Sequence, residues 1–175
     1  RSVHLVYFHA VIISPCLFAS QIFFKIIEYR NLIPECVGMI QKEVAQRLCA
    51  KPGGKEYGAI SVSAQYFSNP RIIKQVPAGS FIPAPKVDSA VVSMEILDTP
   101  SVTPKNEKLF FKLIKAAFSQ RRKTLVNALS SNGAFGSKED VSKAVESIGL
   151  LSTVRGESLS IQQFCELSDY FLAAT

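Results

Sequence analysis

Arg121, Arg122 and Lys123 are three consecutive cations, and they are the feature of this chain whose chemistry is easiest to read. A guanidinium offers paired N–H donors that match two oxygens of one phosphate, and an ammonium adds a compact charge, so the run suits a phosphodiester backbone. Gln120 and Asn127 flank it with neutral donors and acceptors. Between Lys105 and Leu129 seven Lys or Arg face one acid, Glu107, which accounts for the whole net charge of +6, so the other 150 residues sum to zero. A surplus confined to one segment is what contact with a polyanion produces. A solvated basic helix face that binds nothing is the competing reading.

A second feature is Phe81, which heads a stretch stiffened by Pro77, Pro83 and Pro85. Repeated fixing of φ lets such a loop present a ring at little entropic cost, although Phe81 could equally cap the core beneath. Lys86 is placed to touch phosphate, and Asp88 reads as a side chain that holds the turn through backbone hydrogen bonds. Cys16, Cys36, Cys49 and Cys165 lie far apart, with no paired spacing and no His at zinc-ligand distance, so they are expected to be reduced thiols rather than ligands or disulfides.

The elements that must position these residues follow from periodicity. A chain of 175 residues with 47% apolar content can bury a core. Ala19 to Tyr29 places Ile22, Phe23, Ile26 and Ile27 at helical spacing, and Pro34 ends the pattern. Val37 to Ile40 suits a buried strand, Gln41 to Cys49 a helix, and Lys51-Pro-Gly-Gly-Lys55 a loop. Tyr57 to Phe67 is ambiguous. Arg71 to Val76 and Val87 to Leu97 read as strands joined by the proline-dense connection. Thr99 to Pro104 reads as a linker, and beyond it the pattern is helical throughout.

In that second part Phe110, Leu113, Ile114, Ala117, Phe118, Leu125, Ala128 and Leu129 form one apolar stripe, read as one helix with Pro104 in its first turn and Gly133 past its end. On such a helix the three cations spread over more than half the circumference, so at least one must face outward. Ser137 with Asp140, and Ser160 with Gln163, are capping signatures of two further helices, the first stopping at Gly149. The expected architecture is a partial α/β domain (1–98), a linker (99–104) and a small all-α domain (105–175). The run from Ser2 to Phe24 lacks charge, but His4, His9, Ser14, Pro15, Ser20 and Gln21 interrupt it; a buried strand and helix are expected there rather than a membrane span.

Phe81-Ile-Pro-Ala-Pro-Lys-Val-Asp-Ser-Ala-Val-Val92 closely resembles a signature of the KsgA family of small-subunit ribosomal RNA adenine N6,N6-dimethyltransferases. The resemblance extends to Gln41-Lys-Glu-Val-Ala-Gln-Arg-Leu48, Lys51-Pro-Gly-Gly-Lys-Glu-Tyr-Gly58, Phe118-Ser-Gln-Arg-Arg-Lys-Thr-Leu125 with Asn127, and Arg155-Gly-Glu-Ser-Leu-Ser160. It implies the C-terminal part of a Rossmann-like methyltransferase domain followed by a helical RNA-binding domain. The whole enzyme would move methyl groups from S-adenosylmethionine to two adjacent adenines of small-subunit rRNA, with each base drawn out of its stack. Phe81 would stack on the extruded base, while Lys86, Gln120, Arg121, Arg122, Lys123 and Asn127 would contact RNA. The implied setting is cytoplasmic, as a monomer on the assembling small ribosomal subunit, with no metal.

The match fails before Ser20, so residues 1–18 are divergent. Where the family carries Asn-Leu-Pro-Tyr-Asn-Ile-Ser, this chain reads Ile13-Ser-Pro-Cys-Leu-Phe-Ala19; Ile13 stands at the position of the Asn, and Cys16 replaces the stacking aromatic. An alkyl side chain has no acceptor for an amine, and no glycine-rich strand–loop–helix precedes it. The expectation is a fragment that neither binds S-adenosylmethionine nor transfers methyl groups, and a one-base frame shift in codons for Gly-Asn-Phe-Pro would explain Val11-Ile-Ile-Ser-Pro15. A sheet lacking its first parallel strands is expected to limit solubility. The alternatives are a non-catalytic assembly factor, a membrane-tethered fragment and, with a poorer match in the last two motifs, a methylase of large-subunit rRNA.

Overall fold

The computed structural model describes residues 10–13, 25, 26, 28–30, 32–131 and 133–174. They fall into two compact units. One takes in the described residues of Arg1–Cys49 together with Ala64–Ser101, and the other Ala50–Ser63 with those of Val102–Thr175.

The first unit is built on a four-stranded mixed sheet in the order β1-β2-β4-β3, comprising β1 (Ala10–Ile13), β2 (Glu35–Gln41), β3 (Ser68–Val76) and β4 (Ser89–Ile96). β1 and β2 are parallel, with Ile13 opposite Met39, whereas β4 runs antiparallel to both β2 and β3. The expected parallel sheet therefore holds only for the first pair. The physical reason is connectivity, because residues 77–88 join β3 to β4 with only a 3₁₀ turn and no crossover helix, and strands joined in that way pair antiparallel.

β2 alternates in burial, with Cys36, Gly38 and Ile40 inward, while the central β4 buries Ser89, Ala90, Val92, Ser93, Met94 and Ile96 on both faces. β3 starts earlier than its β-branched run suggested and includes Pro70, which a strand at the end of the described order tolerates. Its register slips between Ile72 and Lys74, leaving Ile73 exposed. Helix α1 (Lys42–Leu48) follows β2 directly and buries Ala45 and Leu48, as its spacing predicts. Of the helix expected over 19–29, residues 19–24 lie outside the described residues; Lys25, Ile26 and Glu28 are helical and Ile26 is buried.

The ambiguous stretch resolves as helix α2 (Ala59–Phe67), whose first half groups with the second unit and whose second half groups with the first. The second unit also contains α3 (Glu107–Ala117), α4 (Leu125–Ser130), α5 (Lys138–Ser147) and α6 (Ile161–Ala173). Both capping boxes form: Ser137 and Asp140 exchange hydrogen bonds at the start of α5, and Ser160 and Gln163 do so at the start of α6. Asn106 caps α3, its side chain accepting the Leu109 N–H at 3.0 Å, so Pro104 precedes the helix and does not stand in its first turn as expected.

The single helix expected across 110–129 is two. Ser119 turns its hydroxyl back onto the Ala116 carbonyl at 2.7 Å, and Thr124 accepts the Asn127 N–H to cap a new helix. Local side-chain bonds of this kind compete with the helical ladder, and here they end it. The apolar stripe survives because α3 buries Phe110, Leu113, Ile114 and Ala117 while α4 buries Leu125, Ala128 and Leu129. The corrected consequence is that Arg121, Arg122 and Lys123 lie in a turn between helices, not on a helix face.

Among the described residues, no helix is long and apolar enough to cross a membrane. Ser168 in α6 has a buried hydroxyl with no hydrogen-bond partner. Removing that hydroxyl deletes an unsatisfied polar group at little cost in packing, so Ser168→Ala should raise the unfolding free energy by about 1 kcal/mol. Chemical denaturation with both proteins at equal concentration measures it.

Candidate nucleic-acid interface and its supports

In the helical unit, three of the sequence motifs converge. The Arg121 guanidinium donates to the carbonyl oxygens of Lys55 and Tyr57, the latter at 3.2 Å, and approaches the Glu157 carboxylate at 3.6 Å. Gly53, with φ +82°, donates its N–H to the Glu157 carbonyl at 2.7 Å, and Leu125 N–H donates to the Val154 carbonyl at 2.7 Å. Loop 51–58, turn 118–124 and segment 155–160 are thus stitched together by backbone and by one charged side chain.

Packing reinforces the stitching. The buried Tyr57 ring meets Phe118 edge-on at 6.0 Å between centroids, and Phe118 in turn packs on Phe164 at 5.8 Å. Gly156 passes so close to α3 that a Cβ there would come within 3.0 Å of the Ala117 carbonyl oxygen. A side chain there would crowd the helix backbone, which favours glycine at this place in the Arg155–Ser160 motif.

This geometry divides the three cations. Arg121 is tied to the protein although its side chain stays 46% exposed, and Arg122 and Lys123 are exposed as well, with Lys123 N–H closing the turn onto the Gln120 carbonyl at 3.0 Å. Gln120 is exposed and donates to Ser131 Oγ at 3.2 Å. Asn127 is half-buried beside Thr124, Lys138 and Ser142 in an open cleft of about 450 Å³. Sequence reasoning placed Arg121, Arg122 and Lys123 in one role. It missed Glu157 and Tyr57 as partners of the first, and nothing in their spacing from Arg121 signals the contact.

In the sheet unit, the remaining two motifs meet. The β3–β4 connection holds a 3₁₀ turn at Ala78–Ser80, and Asp88 Oδ1 accepts the Ala78 N–H at 3.1 Å. Asp88 also approaches Lys42 Nζ at 3.5 Å, while its carbonyl accepts the Lys42 N–H at 3.0 Å. Asp88 therefore holds the loop, as its residue type suggested. Phe81 ends the 3₁₀ turn half-buried, and Lys86 is exposed. The apolar side chain that stands fully free at the loop is Ile82, which sequence reasoning passed over because alkyl residues in a proline-rich run carry no chemical signal.

Burial raises the thiols of Cys36, Cys49 and Cys165, Cys36 further through Glu35 and Cys165 through Asp169 and Glu166, so each stays protonated at neutral pH. None of the three is in a disulfide, and among the described residues no cluster of three or more His, Cys, Asp or Glu is arranged to hold a metal. Ile13 ends β1; Cys16 lies outside the described residues.

The fold is shared with enzymes that methylate ribosomal RNA or adenosine. A dimethyladenosine transferase from Plasmodium falciparum superposes with a TM-score of 0.73 at 23% identity, over 95% of this chain and 69% of that one. The 23S rRNA methyltransferase ErmE gives 0.67 at 18% identity, over 93% and 64%. The family model described as ribosomal RNA adenine dimethylase matches residues 14–172, and the chain belongs to that family. Relatives named ribosomal RNA small subunit methyltransferase A include one from Lachnoclostridium phytofermentans, 42% identical over 89% of this chain and 54% of its own length. Another, from Clostridium perfringens, is 50% identical over 75% of this chain and 45% of its own. The chain thus spans about half the length of the curated relatives it matches.

Two outcomes follow from the supports. Arg121→Ala should lower the unfolding free energy by about 1–2 kcal/mol, the worth of charged hydrogen bonds at a half-exposed site, while Arg122→Ala should leave it unchanged; thermal melts compare them. Burial also pushes the Tyr57 hydroxyl up to about 12. Both states are protonated below pH 10, so the fold keeps full stability there. From pH 10 towards 12 the unfolded chain releases the proton and the folded chain does not, so up to about 3 kcal/mol is lost. Tyr57→Phe should flatten that alkaline fall in denaturant titrations run across the range.

Proposed function

We propose that this chain carries the target-side and RNA-binding portion of a small-subunit rRNA adenine N6,N6-dimethyltransferase, and that alone it binds RNA in the cytoplasm without transferring methyl groups. The observation that carries the reading is the division of labour in the turn 119–124. Arg121 ties the turn down, and the exposed Arg122 and Lys123 are thereby carried on a backbone whose position is already set, so that binding has only their side chains to order. Fixed cations of this kind are suited to phosphate, and the relatives named ribosomal RNA small subunit methyltransferase A support small-subunit rRNA as its source.

Phe81 supports the target-side role. Its ring is half-buried on a loop braced by Asp88, so the buried part seats the ring while the remainder is open to cover a base. Lys86 follows on the same loop, exposed and available to the nucleotide's phosphate. Gln120 and Asn127 add polar contacts beside the turn.

In this reading the chain by itself does not hold S-adenosylmethionine, and the residue types of the one described strand before Glu35 support that. β1 supplies Ala10-Val-Ile-Ile13, with no side-chain oxygen or nitrogen to hold an amino acid, a ribose or a target amine. Ile13 is also the observation that favours the second reading, a non-catalytic assembly factor docking through the helical unit. Both readings share the RNA contact and differ only in whether a catalytic partner portion is ever supplied.

The test is fluorescence anisotropy with a small-subunit rRNA fragment across a salt series, using wild type, Arg122→Gln with Lys123→Gln, and Phe81→Leu. The double variant should bind more weakly and lose about 1.4–1.8 from the slope of log affinity against log salt, two phosphate contacts' worth. Unchanged affinity and slope would leave the turn a solvated surface. Tritium transfer from S-adenosylmethionine to the same RNA should stay at background.

A further inference from the structure

The positive surplus of the helical unit is not confined to the turn. Lys108, Lys112 and Lys115 are all exposed on α3, spaced four and three residues apart. At 100° per residue they fall within an arc of about 60°, and at 1.5 Å per residue they run along about 10 Å of the helix. Among the described residues none of the three forms a salt bridge, unlike Arg121, Lys42 or Arg71, which are paired.

A cleft of about 420 Å³ opens beside Leu109 of the same helix. Leu109 lines it from α3, Phe135 and Phe171 pack in it at 5.2 Å between centroids, and Tyr170 forms an exposed wall. Lys112 Nζ lies 6.0 Å from the Phe135 ring centroid, which fixes the stripe to the cleft's edge. Lys143 provides a donor at the lining. Asp140 provides an acceptor whose charge is stabilised by the Ser137 hydroxyl and N–H.

Aligned lysines beside an aromatic cleft with one donor and one acceptor are the two halves of a single-strand binding site: an electrostatic track for phosphates and a stacking wall for a base. We infer that α3 and the Tyr170 cleft form a second RNA contact, in which Lys108, Lys112 and Lys115 follow the phosphates of a single strand and one unstacked base enters against Tyr170. A duplex cannot use the cleft, because its bases are already stacked and paired. This contact rests on the reading of the chain as an RNA-binding portion and lies apart from the turn.

The experiment uses the whole chain with a short fluorescein-labelled RNA, free or annealed to its complement, and circular dichroism to check the fold of each variant. Wild type should prefer the single strand. Lys108→Gln with Lys112→Gln and Lys115→Gln should lower the salt slope by about 2. Tyr170→Leu should weaken single-strand binding about five- to a hundredfold, Tyr170→Phe should restore it, and neither should alter duplex binding. Equal affinity for both RNAs, an unchanged slope in the triple variant, or indifference to Tyr170→Leu each overturns the inference. Arg122→Gln with Lys123→Gln separates the two readings. Loss of binding in that variant alone leaves the turn standing and removes the cleft, loss only in the α3 and Tyr170 variants does the reverse, and no binding by wild type removes both.

Discussion

The guanidinium of Arg121 holds three pieces of chain that are distant in sequence: the carbonyls of loop 51–58, the turn in which the arginine itself sits, and the carboxylate of Glu157. Carbonyls at the surface of a helical unit would otherwise be left to water, and a loop holding Pro52, Gly53 and Gly54 has little intrinsic order. One delocalised cation with several donors in a plane meets both needs, which a single-point ammonium could not. Tyr57, Phe118 and Phe164 then pack in sequence beneath it, so the hydrogen bonds set the register and the rings supply the burial. The exposed cations that follow inherit their positions from this arrangement.

The sheet unit solves a related problem with an acid. The long connection between β3 and β4 leaves proline-rich backbone with few amide donors, so its shape has to come from side chains. Asp88 takes the Ala78 N–H with its carboxylate and the Lys42 N–H with its carbonyl, binding the loop to the start of α1. In both units a residue type that reads as chemistry, a cation in one and a carboxylate in the other, is spent on holding a loop. Lys86 and Val87 before the acid, and Arg122 and Lys123 after the arginine, are left exposed.

Much of this fold was legible because periodicity and capping are local. The boxes at Ser137 and Ser160, the buried spacing of α1, and the proline-bounded strands β3 and β4 all follow from residues within one or two turns of each other. What was not legible depended on partners far along the chain. The apolar stripe of residues 110–129 is continuous, and only the hydroxyls of Ser119 and Thr124 divide it into two helices, because such side chains bond backbone in some contexts and water in others. The direction of β4 relative to β2 is likewise a matter of connection, not of composition.

The candidate interface shows the same limit more sharply. Arg121 and Arg122 are adjacent and chemically identical, so no reading of residue type can tell that one serves the fold and the other faces solvent. The distinction comes from loop 51–58, more than sixty residues away, whose carbonyls happen to lie within reach of only the first. A shared motif therefore records two kinds of constraint at once, and mutating both arginines together would confuse loss of folding with loss of binding. Geometry separates them: what is paired within the protein is support, and what remains exposed beside it, here Arg122, Lys123 and the exposed lysines of α3, is where the positive charge of the unit can meet a polyanion.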